Sequence, residues 1–476
     1  MKSFQYSGHS FDIRYSKFVI RYFFRLFILI LYVSASPSGV IAQDEAIVRT
    51  YGGPYYEEGR QIIECSDYGY IVIGTTGSDQ LNNTDFYLLR LDDDLNCVWS
   101  KNLGGVEVEW GYSIVEDAFG TFYICGYTNS FGNGAYDALV YRVDANGEII
   151  WQHTYGGTDW DFVYKIIAHP TSGFLLCGKT YSQGAGSSDG WLFHIDAFGN
   201  MVDEWVYGGL GEDEFVDVEV TEDGRVVCGG NEIINDGSHA KLTKLNIDGS
   251  IIWENNVESD YETLLKDVLI SDTNYVITGI WRDGLINKDN FYLNKYTEDY
   301  ALVWSHFESV NGLLSPSTVI GFEDGYFSGG TTDEWGAGET GFLIQRRGLN
   351  GVWQMGPTFG GVFLENGLNL LLGDDGSLFL LGNSTSYSES GLFDLYLVQL
   401  PSTTITQEYP LDLDYLDCFS VAINELDPHA SEFQCKGLYT LLGQRVENST
   451  PINQGVYIEV YASNGRLMIR KKFLTN

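Results

Sequence analysis

An all-β repeat architecture is the fold this chain predicts, and three observations carry it. A unit of about fifty residues recurs seven times between Tyr51 and Leu400, clearest where Trp151-Gln-His-Thr-Tyr-Gly-Gly157 precedes Leu175-Leu-Cys-Gly178 and Asp189-Gly-Trp-Leu-Phe-His-Ile-Asp196. Each unit holds four short runs of β-branched and aromatic residues, often apolar on both alternating faces, as strands covered on both sides are. Short Asx-Gly turns separate them, and no helical periodicity stands out. Units that bury their apolar faces only against their neighbours form a repeat fold; seven four-stranded units form a seven-bladed β-propeller.

The first element is the N-terminal segment 1–42. Lys17, Arg21 and Arg25 precede an apolar run from Leu26 to Val33, and Val40-Ile-Ala42 offers small residues for cleavage near Gln43. This is the layout of a secretory signal peptide; the basic residues leave too short an apolar span for a membrane anchor.

The propeller is expected over residues 43–400. In the first repeat the strand signals are Gln61–Glu64, Tyr70–Thr75, Phe86–Leu91 and Cys97–Lys101. First-to-second links are tight, as in Asp67-Tyr-Gly69, Glu222-Asp-Gly224, Asp324-Gly325 and Asp375-Gly376; so are third-to-fourth links such as Asp144-Ala-Asn-Gly147 and Asp248-Gly249. Six repeats end on a tryptophan, Trp99, Trp151, Trp205, Trp253, Trp304 and Trp353. The seventh third strand, Phe393–Leu400, has none after it. Ile47-Val-Arg-Thr-Tyr51-Gly-Gly aligns with Trp151-Gln-His-Thr-Tyr155-Gly-Gly, so the N-terminal strand is predicted to complete the last blade and remove the open sheet edges.

The run Tyr-Gly-Gly, an acidic residue, Gly-Tyr-Ile-Val-x-Gly, Asp-x-x-Leu and a terminal Trp resembles a repeat of secreted bacterial and archaeal proteins. The resemblance covers residues 44–400 and implies a β-propeller without implying one activity. The Leu-Asp-x-x-Gly-x-x-x-Trp portion also resembles the tryptophan-docking motif of pyrroloquinoline-quinone-type propellers; the longer period and the Tyr-Gly-Gly depart from it, and no quinone is inferred.

Pro401–Asp417 reads as a linker and residues 418–476 as a small β module. Tyr439-Thr-Leu-Leu-Gly-Gln-Arg-Val446, with Leu442 and Gly443, then Gly455-Val-Tyr457-Ile, Gly465 and Lys471-Lys472 resemble the C-terminal sorting signal of the type IX secretion system of Bacteroidetes. That resemblance implies outer-membrane secretion machinery as a partner and a secreted or surface location. The Asn-Pro-containing first strand of that family is not evident here.

Without residues 1–42 the chain keeps 22 Lys and Arg against 64 Asp and Glu, a formal charge of −42. Such a balance argues against nucleic acid and anionic membranes as partners, since phosphates need basic patches. Of the seven cysteines, Cys125, Cys177 and Cys228 share a repeat position with Ile73 and Thr278, a small buried core site. Cys418 and Cys435 are the more plausible disulfide pair, and no spacing suggests zinc.

Ligands are expected on the face made by the second-to-third links and the blade connections, because the other face is all tight turns. The second-to-third links are long and polar: Thr76–Thr84, Asn129–Tyr136, Tyr181–Ser188, Arg282–Lys288, Asp333–Glu339 and Ser384–Leu392. Glu57, Glu109, Asp161, Asp213 and Glu365 stand at equivalent places in five blade connections. They read as caps for backbone N–H groups where each inner strand begins, or else as oxygen ligands for a cation such as Ca²⁺; no other cofactor is implied. Tyr55, Tyr56, Trp110, Trp160 and Trp335 are candidates to stack on sugar rings or peptide side chains, against the commoner fate of core packing. HExxH, EF-hand and Asp-box patterns are not found. The leading expectation is therefore a non-enzymatic binding or adhesion scaffold for an extracellular glycan, peptide or surface polymer. The alternative is a polysaccharide-acting hydrolase or lyase using carboxylates of the loop-rich face.

Overall fold

The computed structural model describes residues 18–19, residues 47–402 apart from 78–82, 235–236, 284–287, 311, 335–338, 356–357, 362 and 389–390, and three C-terminal strands. The chain is an all-β, seven-bladed propeller. Its first blade is Glu57–Glu64, Tyr70–Gly77, Thr84–Leu91 and Cys97–Leu103 from the channel outwards, and six further antiparallel sheets of the same order follow.

The seventh blade takes its outermost strand from the other end of the propeller. Ile47–Tyr51 pairs antiparallel with Asp394–Leu400, Ile47 opposite Gln399 and Tyr51 opposite Leu395, as the repeat alignment predicts. A two-residue segment, Phe18–Val19, pairs in turn with Val48 and Ile47; the rest of segment 1–42 lies outside the described residues.

The core is distributed between blades. One apolar cluster joins Tyr51, Leu381 and Leu397 of blade seven to Ile62, Val72 and Leu89 of blade one, and similar clusters fill the remaining junctions. Middle strands are covered on both faces; Leu378–Ser384 and Asp189–Ile195 are buried throughout. Cys125, Cys177 and Cys228 are free thiols, fully buried in these junctions. The Cys418–Cys435 pairing lies outside the described residues.

Outer strands are tied to the next blade by side chains. Trp99 Nε1 donates to the carbonyl of Ala145 at 3.2 Å, Trp151 to Ala197 at 3.3 Å and Trp304 to Leu349 at 3.1 Å. Trp205 departs from this series. Register places Asp203 where Trp151 stands, opposite His194, and Trp205 two residues further, at the place of His153. Counting the nearest tryptophan as the repeat mark therefore misplaces it. The outer strand of blade six is also broken, into Trp353–Met355 and Thr358–Phe359.

The innermost strands begin earlier than the sequence pattern suggests, at Glu57 rather than Gln61 in blade one. A β-bulge hides the alternation. All seven innermost strands carry one, at Arg60, Tyr112, Tyr164, Val216, Lys266, Ser317 and Leu368. A bulge leaves a backbone donor unpaired and turns the extra side chain outwards, here to the channel. Just past it, a side chain of the preceding blade supplies an acceptor: Gln61 Oε1 for Ile114 N–H at 2.9 Å, Ser113 for Ile166, Asp217 for Val268, Asp267 for Val319 and Asn369 for Ile62.

Beyond the propeller, Gln434–Thr440, Gly455–Ser463 and Arg466–Leu474 form a three-stranded antiparallel sheet. It contains Gly455, Tyr457, Lys471 and Lys472 of the sorting-type motif; Leu442 and Gly443 lie outside the described residues. No helix among the described residues is long and apolar enough to cross a membrane.

Candidate functional site

The innermost strands enter the channel at the loop-rich face, so their first residues build its mouth. In blades one to four the channel-facing positions read Glu58, Trp110, Phe162 and Glu214 at the first level; Arg60, Tyr112, Tyr164 and Val216 follow at the bulge. Neighbouring blades carry different residues at one structural position, and the channel wall is unequal as a result.

Blades two and three make an aromatic wall. Tyr112 contacts Tyr164 and Tyr127, with ring centres 5.3 and 5.7 Å apart. Tyr127 meets Phe162 edge-on at 4.8 Å, and Tyr136 stacks on Phe162 at 5.7 Å. Trp160 closes the cluster, 5.9 Å from both Tyr136 and Tyr181. Edge-to-face, tilted and stacked contacts together hold each ring at a fixed angle. Two cations lie on this wall: Arg60 is 5.5 Å from the ring of Trp110, and Lys179 Nζ is 5.8 Å from Phe162.

The sequence candidates fall in different surroundings. Trp160 stands at the rim, 45% exposed. Trp110 is half-buried under the Arg60 guanidinium. Tyr56 bonds Glu58 through its hydroxyl and meets Phe393 edge-on, and Tyr55 is half-buried beside it. Trp335 lies outside the described residues. Tyr112, Tyr127, Tyr136, Phe162, Tyr164 and Tyr181 were missed as candidates, because a repeat-by-repeat comparison treats Tyr and Phe at strand positions as core. Their signal was present: blades two and three carry aromatics where Glu, Val, Ser or Asn stand in others.

The five carboxylates point away from the channel and are at most 4% exposed. One oxygen of each of the first four accepts the N–H of the second glycine of the preceding Gly-Gly pair: Gly53 to Glu57 at 2.9 Å, Gly105 to Glu109 at 2.8 Å, Gly157 to Asp161 at 2.7 Å, Gly209 to Asp213 at 2.8 Å. The other oxygen accepts from the end of the second strand in four blades, from Thr76, Thr128, Thr180 and Ser384. In Asp213 it faces Lys241 at 3.3 Å instead. With every oxygen but Glu365 Oε2 hydrogen-bonded or ion-paired inside the ring, these carboxylates do not fit a shared Ca²⁺ site. Among the described residues no group of three or more His, Cys, Asp and Glu side chains is placed to hold a metal ion.

Burial weakens Glu57 and Glu365 among them, and their neighbour Asp85. It pushes Glu57 up to about 7, against the pull of the Gly53 N–H and with help from the charge of Asp394. Asp85 is pushed up to about 6 by burial and by neighbouring Glu109, and Glu365 is raised mainly by burial. An open groove of about 330 Å³ lies at the opposite face, between Asp67, Arg90, Asp92 and Trp99 of blade one and Ala145 and Asn146 of blade two, away from the aromatic wall.

No protein-family model matches the chain, and no curated protein matches it in sequence. Solved propellers resemble it in shape. The Pan2 WD40 domain of Neurospora crassa is 11% identical, covers 72% of this chain and 89% of its own, and has a TM-score of 0.46. The polysaccharide lyase Uly1 is 9% identical over 77% of this chain and 94% of its own, at a TM-score of 0.47. A puromycin hydrolase is 11% identical over 75% of this chain and 59% of its own, at 0.45. At such identities the likeness is one of fold, shared by proteins of unrelated activity.

Proposed function

We propose that the chain is a binding scaffold whose ligand is a glycan laid across the aromatic mouth of the channel. One observation carries the reading: a continuous set of ring contacts runs from Tyr112 to Trp160 and Tyr181, and its outermost member is 45% exposed. Sugar rings present apolar faces that stack on indole and phenol rings, and rings already locked by their neighbours lose little entropy on binding. The five sequence-marked carboxylates give the hydrolase alternative no reachable acid, since none is more than 4% exposed. Export through segment 1–42 and the module 418–476 belongs to the same proposal, and a truncation ending near Thr406 that still reached the medium would remove the sorting role.

The test is a titration of the full chain, read by tryptophan fluorescence and calorimetry, with laminarin, dextran, polygalacturonate and chito-oligosaccharides. Binding to at least one, weakened about tenfold or more by Trp160→Ala with melting unchanged, supports the reading. Equal binding by the Trp160→Ala protein ends it, and release of shortened fragments would replace it with the enzymatic alternative.

A further inference from the structure

Lys266 is the bulge residue of the fifth innermost strand, so it stands in the channel at the level of Arg60, Tyr112 and Tyr164. It is exposed there and makes no hydrogen bond or ion pair among the described residues. The neighbouring cations are all engaged: Arg60 by Glu58, Lys179 by Glu214 at 3.2 Å, and Arg282 by Asp289 at 2.6 Å. Those three carboxylates offset the three neighbouring cations, and none of them bonds the fourth, Lys266. Desolvation by the channel wall lowers the Lys266 pKa, opposed by Glu214 and Asp289 and assisted by Arg282 and Arg60. Those same groups place the ammonium within electrostatic reach of Arg60, three blades away across the channel, and Arg60 lies 5.3 Å from the Tyr112 ring.

The geometry points to an anion subsite: Lys266, with Arg60 opposite, takes the carboxylate or sulfate of an acidic sugar unit whose ring rests on the aromatic wall. This rests on the glycan-binding reading and adds the ligand's charge to it. A charge-assisted hydrogen bond is roughly twice as strong as a neutral one, whereas the acidic outer surface is screened beyond about 8 Å at physiological salt. The local lysine therefore outweighs the distant negative field. A neutral glycan gains the stacking and leaves the ammonium to water.

The experiment compares polygalacturonate, dextran sulfate, dextran and polyglutamate by calorimetry on the full chain at about 0.15 M salt, where surface charges are screened. An acidic glycan should bind about tenfold tighter than dextran, a margin that Lys266→Met removes and Lys266→Arg keeps, with melting unchanged in both. Preference for one polyanion alone supports the subsite and identifies the anion. Persistence of the margin in Lys266→Met overturns the subsite while leaving the aromatic reading intact. Equal binding of polyglutamate also overturns it, because a peptide has no ring for the wall. Absence of binding to every glycan fells the subsite and the aromatic reading together.

Discussion

The hydroxyl of Tyr51 donates to the carbonyl oxygen of Leu95 at 2.7 Å, tying the strand that completes blade seven to the third-to-fourth turn of blade one. Tyr155 and Tyr207 make the same bond to Gly199 and Gly249 within the ring. Only at Tyr51 does it join the two ends of the propeller. Tyr51→Phe keeps the buried ring and removes one buried hydrogen bond, a loss of about 1 kcal/mol. Deleting Asp44–Thr50 strips most of the closing strand and bares the edge of Asp394–Leu400, and should lower the melting temperature far more. Calorimetry on both variants checks this; a deletion that melts like the parent would mean the ring is not held at this seam.

Gly178 lies opposite the bulge of its neighbouring strand, where a Cβ would stand 1.9 Å from the carbonyl oxygen of Phe162. Gly74, Gly126, Gly230, Gly279, Gly330 and Gly382 meet the same obstacle in the other blades, at 1.8 to 2.3 Å. The obstacle is backbone, so no rotamer relieves it. Gly178→Ala should destabilise by about 2–4 kcal/mol, in the range of core overpacking. Gly209, with nothing within 4 Å of its Cβ position, is the control, and Gly209→Ala should leave melting within a degree or two.

The ladder of side chains past the bulges makes a third expectation. Gln61 Oε1 accepts from the Ile114 N–H, a donor that the bulge in blade two takes out of the sheet. Gln61→Met keeps the length and removes the acceptor, leaving a part-buried amide unpaired at a cost of about 1–2 kcal/mol. Hydrogen exchange at Ile114 should accelerate more than exchange at Val140 in the same blade. Equal protection in both variants would show that the amide finds another partner.

The ring, its blade number and its closure were legible because they rest on turn chemistry and on a repeated apolar pattern, both local. Ile47 could be aligned with Trp151 from sequence and sits at that register. The start of the innermost strands was not legible. Arg60 and its equivalents break the alternation of period two, and channel-facing residues such as Glu58 and Trp110 read as polar or rim positions. Trp205 misled for a related reason: composition marked the position, while hydrogen-bond register put Asp203 there. The aromatic wall joins side chains of two blades, and no single repeat contains it. Lys266 stands out only once the ion pairs of its neighbours are known.

Two families of acids make stability depend on pH in opposite senses. Hydrogen bonds hold Asp144 below its ordinary value, first from the Glu148 N–H and then from Asn146; Asp248 is held low by the hydroxyl and N–H of Ser250. Lowered acids stabilise the fold above the ordinary carboxylate value and lose that effect as pH falls through their folded values. Glu57 runs the other way. The folded state holds its proton more tightly, with the pKa raised from 4.5 to about 7, so its stabilising effect is full below 4.5 and is lost as pH rises through 7. Asp85, raised to about 6, adds a smaller effect of the same sign because it is half-exposed. Melting temperature should therefore peak between about pH 4 and 6 and fall towards pH 8, with Glu57 accounting for up to about 3 kcal/mol of the fall. Glu57→Gln is neutral at every pH and still offers Oε1 to the Gly53 N–H; it should flatten the alkaline limb and melt higher than the parent at pH 8. A parent profile already flat from pH 5.5 to 8 would show that burial does not hold a proton on Glu57.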